Sequence, residues 1–242
     1  MKVAVAQTRP VKGDVQRNID NHKKIIGLAV ARGVNTIIFP ELSLTGYEPA
    51  LAKKLATNQE DSRFDDFQLI SDAGNITIGV GMPTRSNDGI CISMLIFHPQ
   101  KARQTYSKKF IHADEEAFFV SGQGTIGLIG DRGKIAVAIC YELSIPAHSE
   151  TALKSGAEIY IASVAKTASG VEKASTILSE IAGRFSMTVL MSNCIGPCDD
   201  FVSGGKTTSW NNEGILMEQL DESNEGIIII DTDTVETIKI TL

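Results

Sequence analysis

The chain has 242 residues, 43% of them apolar, which is enough to bury a large core, and no polar linker divides it; we read one domain over 1–242. A net charge of −6, with 23 Lys and Arg scattered rather than clustered, argues against nucleic acid or an anionic membrane surface as a partner. The opening Met1–Gln7 is too short an apolar run for a signal peptide and nothing approaches a membrane helix, so a cytoplasmic location with free thiols at Cys91, Cys140, Cys194 and Cys198 is expected.

In chain order, Lys2–Ala6 reads as a strand. A helix capped by Asp14 follows, with Ile19, Ile25, Ile26, Ala29 and Val30 at helical spacing and a stop at Gly33. Strands are then expected at Thr36–Phe39, Ile76–Gly81 and Ile92–Phe97, with a short helix over Arg63–Ala73 before the second. Further strand-like runs lie around Thr125–Ile129 and at Lys134–Ile139, Ile159–Ser163, Thr188–Ser192 and Gly226–Asp231. Helices are read over Pro146–Ser155 and Ser169–Phe185, the latter with Ala174, Ile177, Leu178, Ile181 and Phe185 on one face. Crossovers mix with hairpin turns, so one doubly wound sheet does not fit. The expected class is α/β, with two mixed sheets packed on each other and helices outside.

Three segments carry chemistry. Glu41 stands directly after the strand that ends at Phe39-Pro40, where a carboxylate is aimed into a cleft; a helix N-terminal Glu after proline is the competing reading. The run Tyr106–Glu116 mixes Lys108, Lys109, His112 and three acids, a pattern that by itself is a solvated loop. Cys140 ends the apolar strand Lys134–Ile139 just where a new helix can begin. A nucleophile on such a turn is exposed and the next backbone N–H groups face the carbonyl it attacks, although a cysteine in an apolar run is also an ordinary core residue.

Taken together, Phe39-Pro40-Glu41-Leu42 with Gly46-Tyr47, Tyr106-Ser107-Lys108 leading to Glu116, and Ala138-Ile139-Cys140-Tyr141-Glu142 with Pro146 resemble the nitrilase superfamily of carbon-nitrogen hydrolases. The spacings of eight residues from Lys108 to Glu116 and twenty-four from there to Cys140 are similar to its amidase members. The resemblance extends over nearly the whole chain and implies a four-layer α-β-β-α sandwich that pairs through its outer helices into a homodimer or larger homo-oligomer. It implies Cys140 as nucleophile, Glu41 as base, Lys108 and the backbone N–H near Tyr141 as oxyanion partners, and Glu116 as an orienting acid. Tyr47 and Glu142 are expected near the substrate, a small-molecule amide. No cofactor and no metal are implied. Lys108 and Lys109 are adjacent, so a shift of one residue would exchange them. Lys108 is chosen because it stands two residues after Tyr106 and points opposite to Lys109 in extended backbone.

The expected reaction converts a small aliphatic amide or dicarboxylic monoamide into a carboxylic acid and ammonia through a Cys140 thioester. The alternative in another class is a catalytically silent relative that binds a ligand or a partner protein. Gly122–Gly127 fits G-x-G-x-x-G, but a strand and turn rather than a helix are expected after it. Cys194 and Cys198 lack the second pair that a zinc site needs and are read as ordinary thiols beside the site, with room for oxidative sensitivity.

Overall fold

A computed structural model describes residues 1–123, 127–130 and 132–242. Its first half contains β1 (Lys2–Gln7), α1 (Val15–Val30), β2 (Thr36–Ile38), α2 (Ala52–Leu55), α3 (Asp65–Gly74), β3 (Thr77–Arg85), β4 (Ile90–Phe97) and β5 (Gln104–Ser107). The second half contains β6 (Ile135–Ile139), α4 (Pro146–Lys154), β7 (Ile159–Ser163), α5 (Ala168–Phe185), β8 (Thr188–Ser192), β9 (Ile195–Cys198), β10 (Phe201–Gly204), β11 (Thr208–Trp210), β12 (Leu216–Gln219), β13 (Gly226–Asp231) and β14 (Thr237–Thr241).

A seven-stranded sheet runs β14-β13-β1-β2-β3-β4-β5 and a five-stranded sheet runs β12-β11-β8-β7-β6, with β9 and β10 forming a separate hairpin. Both large sheets are mixed. Parallel β1-β2-β3 is flanked by antiparallel β13 and β4, and parallel β6-β7-β8 by antiparallel β11.

The period-2 alternation of the strands divides their side chains between two sides of each sheet. Val3, Val5, Ile38, Ile92, Met94, Ile228 and Ile230 face Ile135, Val137, Ile139, Ile159, Ile161 and Leu190 across the space between the sheets. The alternate residues Ala4, Ala6, Ile227 and Ile229 turn outward to meet Ile19, Ile25 and Ile26 of α1 and Phe67 of α3. On the far side Ala136, Ala138, Tyr160, Ala162, Val189 and Met191 meet Val171, Ala174 and Leu178 of α5. Each fully buried aliphatic or aromatic side chain contributes roughly 1.5–3 kcal/mol by leaving water. The expected α-β-β-α layering is therefore what the chain adopts.

The helix ends follow local chemistry. Asp14 accepts a hydrogen bond from Arg17 N at 3.1 Å to start α1, and Thr167 accepts from Gly170 N at 3.1 Å to start α5. The expected strand near Thr125–Ile129 lies partly outside the described residues, and Ile129 makes only an isolated bridge to Ile135. The G-x-G-x-x-G match also includes undescribed positions, and no helix follows it at 127–130. Among the described residues no helix is long and apolar enough to cross a membrane.

Candidate active site

Glu41 is carried from the end of β2 into a tight turn by backbone bonds from Phe39 N to Gly79 O and from Leu44 N to Gly81 O. Two serines of the five-stranded sheet reach across and fix the approach. Ser163 Oγ donates to Phe39 O at 2.8 Å and Ser192 Oγ to Ile38 O at 3.2 Å. Beneath the turn lies Gly81, where a Cβ would fall 2.3 Å from Leu42 N and 2.6 Å from Pro40 O. Only a glycine lets β3 pass this close to the backbone that holds Glu41.

Lys108 leaves β5 under similar constraint: its N–H donates to Ile92 O, its carbonyl accepts from Gly122 N, and a Cβ at Gly122 would meet Ser107 O at 2.3 Å. The Lys108 side chain is fully buried. Its Nζ donates to Glu41 Oε1 at 2.9 Å and to both oxygens of Glu115 at 2.7 and 2.8 Å. Lys109 points the other way, exposed, with its Nζ above the Phe110 ring.

The acid beside Lys108 is thus Glu115, and the expected Glu116 is corrected: its side chain is exposed. The reason is the turn over 113–118, in which Glu115 N donates to His112 O while Phe118 N and Phe119 N donate to Glu115 O. That winding turns position 115 inward. Its carboxylate is completed by Tyr47 Oη at 3.0 Å and His112 N at 2.9 Å.

Cys140 opens a 3₁₀ turn (Cys140–Ser144) at the end of β6 with φ +46°, the left-handed region that residues other than glycine rarely adopt. The thiol is thereby presented at a sharp strand-to-helix turn, and the first N–H groups of that turn have no intrahelical acceptor.

Glu142 is also corrected, because it faces away from the cleft and is fully buried behind the turn. Its carboxylate accepts from Tyr106 Oη at 2.9 and 2.8 Å, Lys109 N at 2.7 Å and Ile139 N at 2.8 Å, with His148 Nε2 3.5 Å away. It ties the strand end before Cys140 to the Lys108 segment. Burial pushes this carboxyl up, but His148 and the two backbone N–H groups outweigh it and hold the group below its usual value.

The electrostatics at the centre follow from burial. Burial drives the Glu41 carboxyl above its ordinary value despite the Lys108 ammonium, with Glu115 adding to the rise. Among the described residues its Oε2 has no hydrogen-bond partner. Burial and then Glu41 push the Cys140 thiol up to about 11, against Lys166 and Lys108. Burial acts to lower Lys108, yet Glu41, Cys140 and Glu115 together hold it above its ordinary value and so keep it charged.

Lys108, Glu115 and Cys140 line a cavity of about 620 Å³ whose walls also include Tyr47, Tyr141, Lys166 and Phe201, with Glu41 buried behind Lys108. Cys194 and Cys198 sit behind the Tyr47 and Phe201 wall, buried, with their sulfurs 3.6 Å apart. Among the described residues no cluster of His, Cys, Asp or Glu is arranged to hold a metal.

A buried Glu–Lys pair and a cysteine on a strained turn thus come together in a fold of two packed sheets with helices outside. Residues 2–240 match the carbon-nitrogen hydrolase family, and the chain belongs to that family. Among curated proteins it is 23% identical to a glutamine-dependent NAD(+) synthetase of Thermotoga maritima, covering 100% of this chain and 44% of the other, and 26% identical to nitrilase 3 of Arabidopsis thaliana, covering 68% and 54%. The chain therefore spans about half the length of these relatives or less. Among solved structures, a Cys-to-Ala mutant of the amidase from Nesterenkonia sp. AN1 in complex with butyramide superposes with TM-score 0.86 at 20% identity, covering 96% of this chain and 90% of that one. A second mutant of the same amidase, with acrylamide added at its active-site cysteine, gives 0.86 at 20% identity over 96% and 92%.

Three features of the site were not read from the sequence. Gly81 carried a signal only as a glycine inside a strand, which marks a close backbone approach. Glu115 and Lys166 carried none that separates them from charged neighbours.

Proposed function

We propose that the protein hydrolyses the carbon–nitrogen bond of a small amide, an aliphatic amide or a dicarboxylic monoamide, to a carboxylic acid and ammonia through a thioester on Cys140. The observation that carries this is that Lys108 and Cys140 line one cleft, with Lys108 Nζ 2.9 Å from the buried Glu41 Oε1 and the thiol on a left-handed turn.

With its thiol held up to about 11, Cys140 is protonated at neutral pH and needs a base as attack begins. Glu41 fits that task. Its raised basicity and free Oε2 equip it to take the thiol proton and to return it to the departing amine. As the amide carbon becomes tetrahedral, the developing oxyanion is held by the Lys108 ammonium and by the backbone N–H near Tyr141, a kind of contact worth roughly 3–4 kcal/mol in the transition state. Water activated by Glu41 then cleaves the thioester. Glu115 keeps Lys108 charged and positioned and so takes the orienting role expected of Glu116, while Tyr47 steadies Glu115. Pairing of two chains through the outer helices belongs to the same reading, and light scattering on the purified chain tests it.

The test is ammonia release from butyramide, succinamate, glutamine, a carbamoyl amino acid and a nitrile, using the native chain and Cys140→Ala. Release from one of the amides that is lost in the variant supports the proposal. Release that persists in Cys140→Ala, or that comes only from the nitrile, overturns it.

A further inference from the structure

Among the described residues, some of the charged groups that line the cleft are paired and others stand exposed at its mouth. Lys108 and Glu115 pair with each other, and His112 pairs with Asp114. Lys173, Asp199 and Asp200 are exposed where the cleft opens. Lys166 differs from both sets: it is only partly exposed, it lines the cleft, and among the described residues it forms no ion pair.

Its backbone is unusually well fixed for a residue in a connection between a strand and a helix. The N–H donates to Asn193 Oδ1 at 3.0 Å, and the carbonyl accepts from Gly204 N at 2.8 Å, Ser203 Oγ at 3.0 Å and Asn193 Nδ2 at 3.2 Å. Asn193 is itself fully buried and is held by Thr207 Oγ1 and Gly205 O. The stem of Lys166 lies against Gly170 in the first turn of α5, where an added Cβ would stand 3.3 Å from Lys166 Cβ and 3.7 Å from Cγ. A partly buried lysine whose backbone and stem are held this way, and which has no ion-pair partner among the described residues, offers the cleft one half of an ion pair.

We propose that Lys166 is the carboxylate-binding residue of the cleft, so that the substrate is an amide whose acyl chain ends in a carboxylate gripped by Lys166 while its amide carbon lies at Cys140. The inference rests on the amide-hydrolase reading and chooses the dicarboxylic monoamide within it. Lys166 is near enough to Cys140 for its charge to act on the thiol alongside that of Lys108. Lys166 and Cys140 line the same cleft, and succinamate, which carries a carboxylate and an amide on one short chain, is the probe.

The experiment compares kcat/KM for succinamate and for its neutral analogue butyramide in the native chain, Lys166→Met and Lys166→Arg. It adds a readout that needs no turnover, the protection of Cys140 against iodoacetamide by succinate. The native chain is expected to prefer succinamate, and Lys166→Met to lower the succinamate-to-butyramide ratio by about tenfold or more, the loss of a charge-assisted contact. Lys166→Arg, which keeps the charge, restores part of the ratio. Succinate slows alkylation of the native chain and loses that effect in Lys166→Met. An unchanged ratio, with both substrates falling alike or neither falling, overturns the proposal and leaves Lys166 acting on the thiol alone or on nothing. If the native chain hydrolyses neither of these two amides, the hydrolase reading is decided by the wider panel, and succinate protection by itself decides whether Lys166 binds a carboxylate.

Discussion

Glu115→Gln and Glu116→Gln separate two adjacent acids that the structure treats in opposite ways. The Glu115 carboxylate takes two bonds from Lys108 Nζ at 2.7 and 2.8 Å, one from Tyr47 Oη and one from His112 N, and the Lys108 and Glu115 side chains are almost fully buried. Glutamine removes the charge and replaces one acceptor by a donor that must face the ammonium or the phenol. Breaking one side of a buried ion pair typically costs about 3–5 kcal/mol; here Lys108 keeps Glu41, so the lower end, about 3 kcal/mol, is expected. For a chain of this size that corresponds to a drop in Tm of roughly 6–12 °C. Amide hydrolysis should fall at least about a hundredfold, because the ammonium is no longer held toward the oxyanion. Glu116 is exposed, so its replacement should change stability by no more than about 0.5 kcal/mol. Thermal unfolding by circular dichroism and initial rates of ammonia release read both effects. Loss of activity in Glu116→Gln with an unaffected Glu115→Gln would refute the assignment.

Other expectations come from other layers of the molecule. Gly81→Ala places a Cβ 2.3 Å from Leu42 N and must shift the turn that holds Glu41; hydrolysis should fall sharply with lowered Tm, and a variant as active as the native chain would show that the approach is not constraining. His22 is fully buried, donates from Nδ1 to Asn18 O, accepts at Nε2 from Ser43, and is held by burial down to about 3, against the Asn18 carbonyl. Above pH 6.5 both folded and unfolded chains leave it neutral. As pH falls from 6.5 toward 3 the unfolded chain takes up a proton that the native one refuses, and stability should drop by as much as about 1.4 kcal/mol per pH unit. Urea unfolding across that window should show a shallower fall in His22→Gln, and parallel curves would contradict the buried neutral imidazole. Glu41 raises the Cys140 thiol, so Glu41→Gln should move the midpoint of iodoacetamide labelling to lower pH than in the native chain while hydrolysis is lost. A midpoint that rises would mean that the carboxylate does not face the thiol.

How far the sequence reached depends on which physical signal each residue carried. The inner strands were legible because Val3–Gln7, Ile135–Ile139 and Ile159–Ser163 are buried on both faces and read as continuous apolar runs. The short strands β9 to β12 were not. They hold three or four residues each, include Gly196, Pro197 and Gly204, and show no alternation to separate them from loop. Lys108 was separable from Lys109 because opposite directions in extended backbone follow from parity alone. Glu115 was not separable from Glu116, since the choice is made by the winding of a turn after the strand has ended. Glu142 was misread for a related reason: its place beside Cys140 in sequence gives no sign that Ile139 N, Lys109 N and Tyr106 Oη capture its carboxylate behind the turn.

The central claim is a covalent intermediate on Cys140, and the most direct measurement is the intact mass of the chain quenched in acid within its first turnovers of a substrate amide, followed by peptide mapping. The account predicts a mass increase equal to the acyl group, mapped to the peptide that contains Cys140, lost on treatment with hydroxylamine and absent from Cys140→Ala. Turnover with no adduct on Cys140, or hydrolysis that persists in Cys140→Ala, would contradict it.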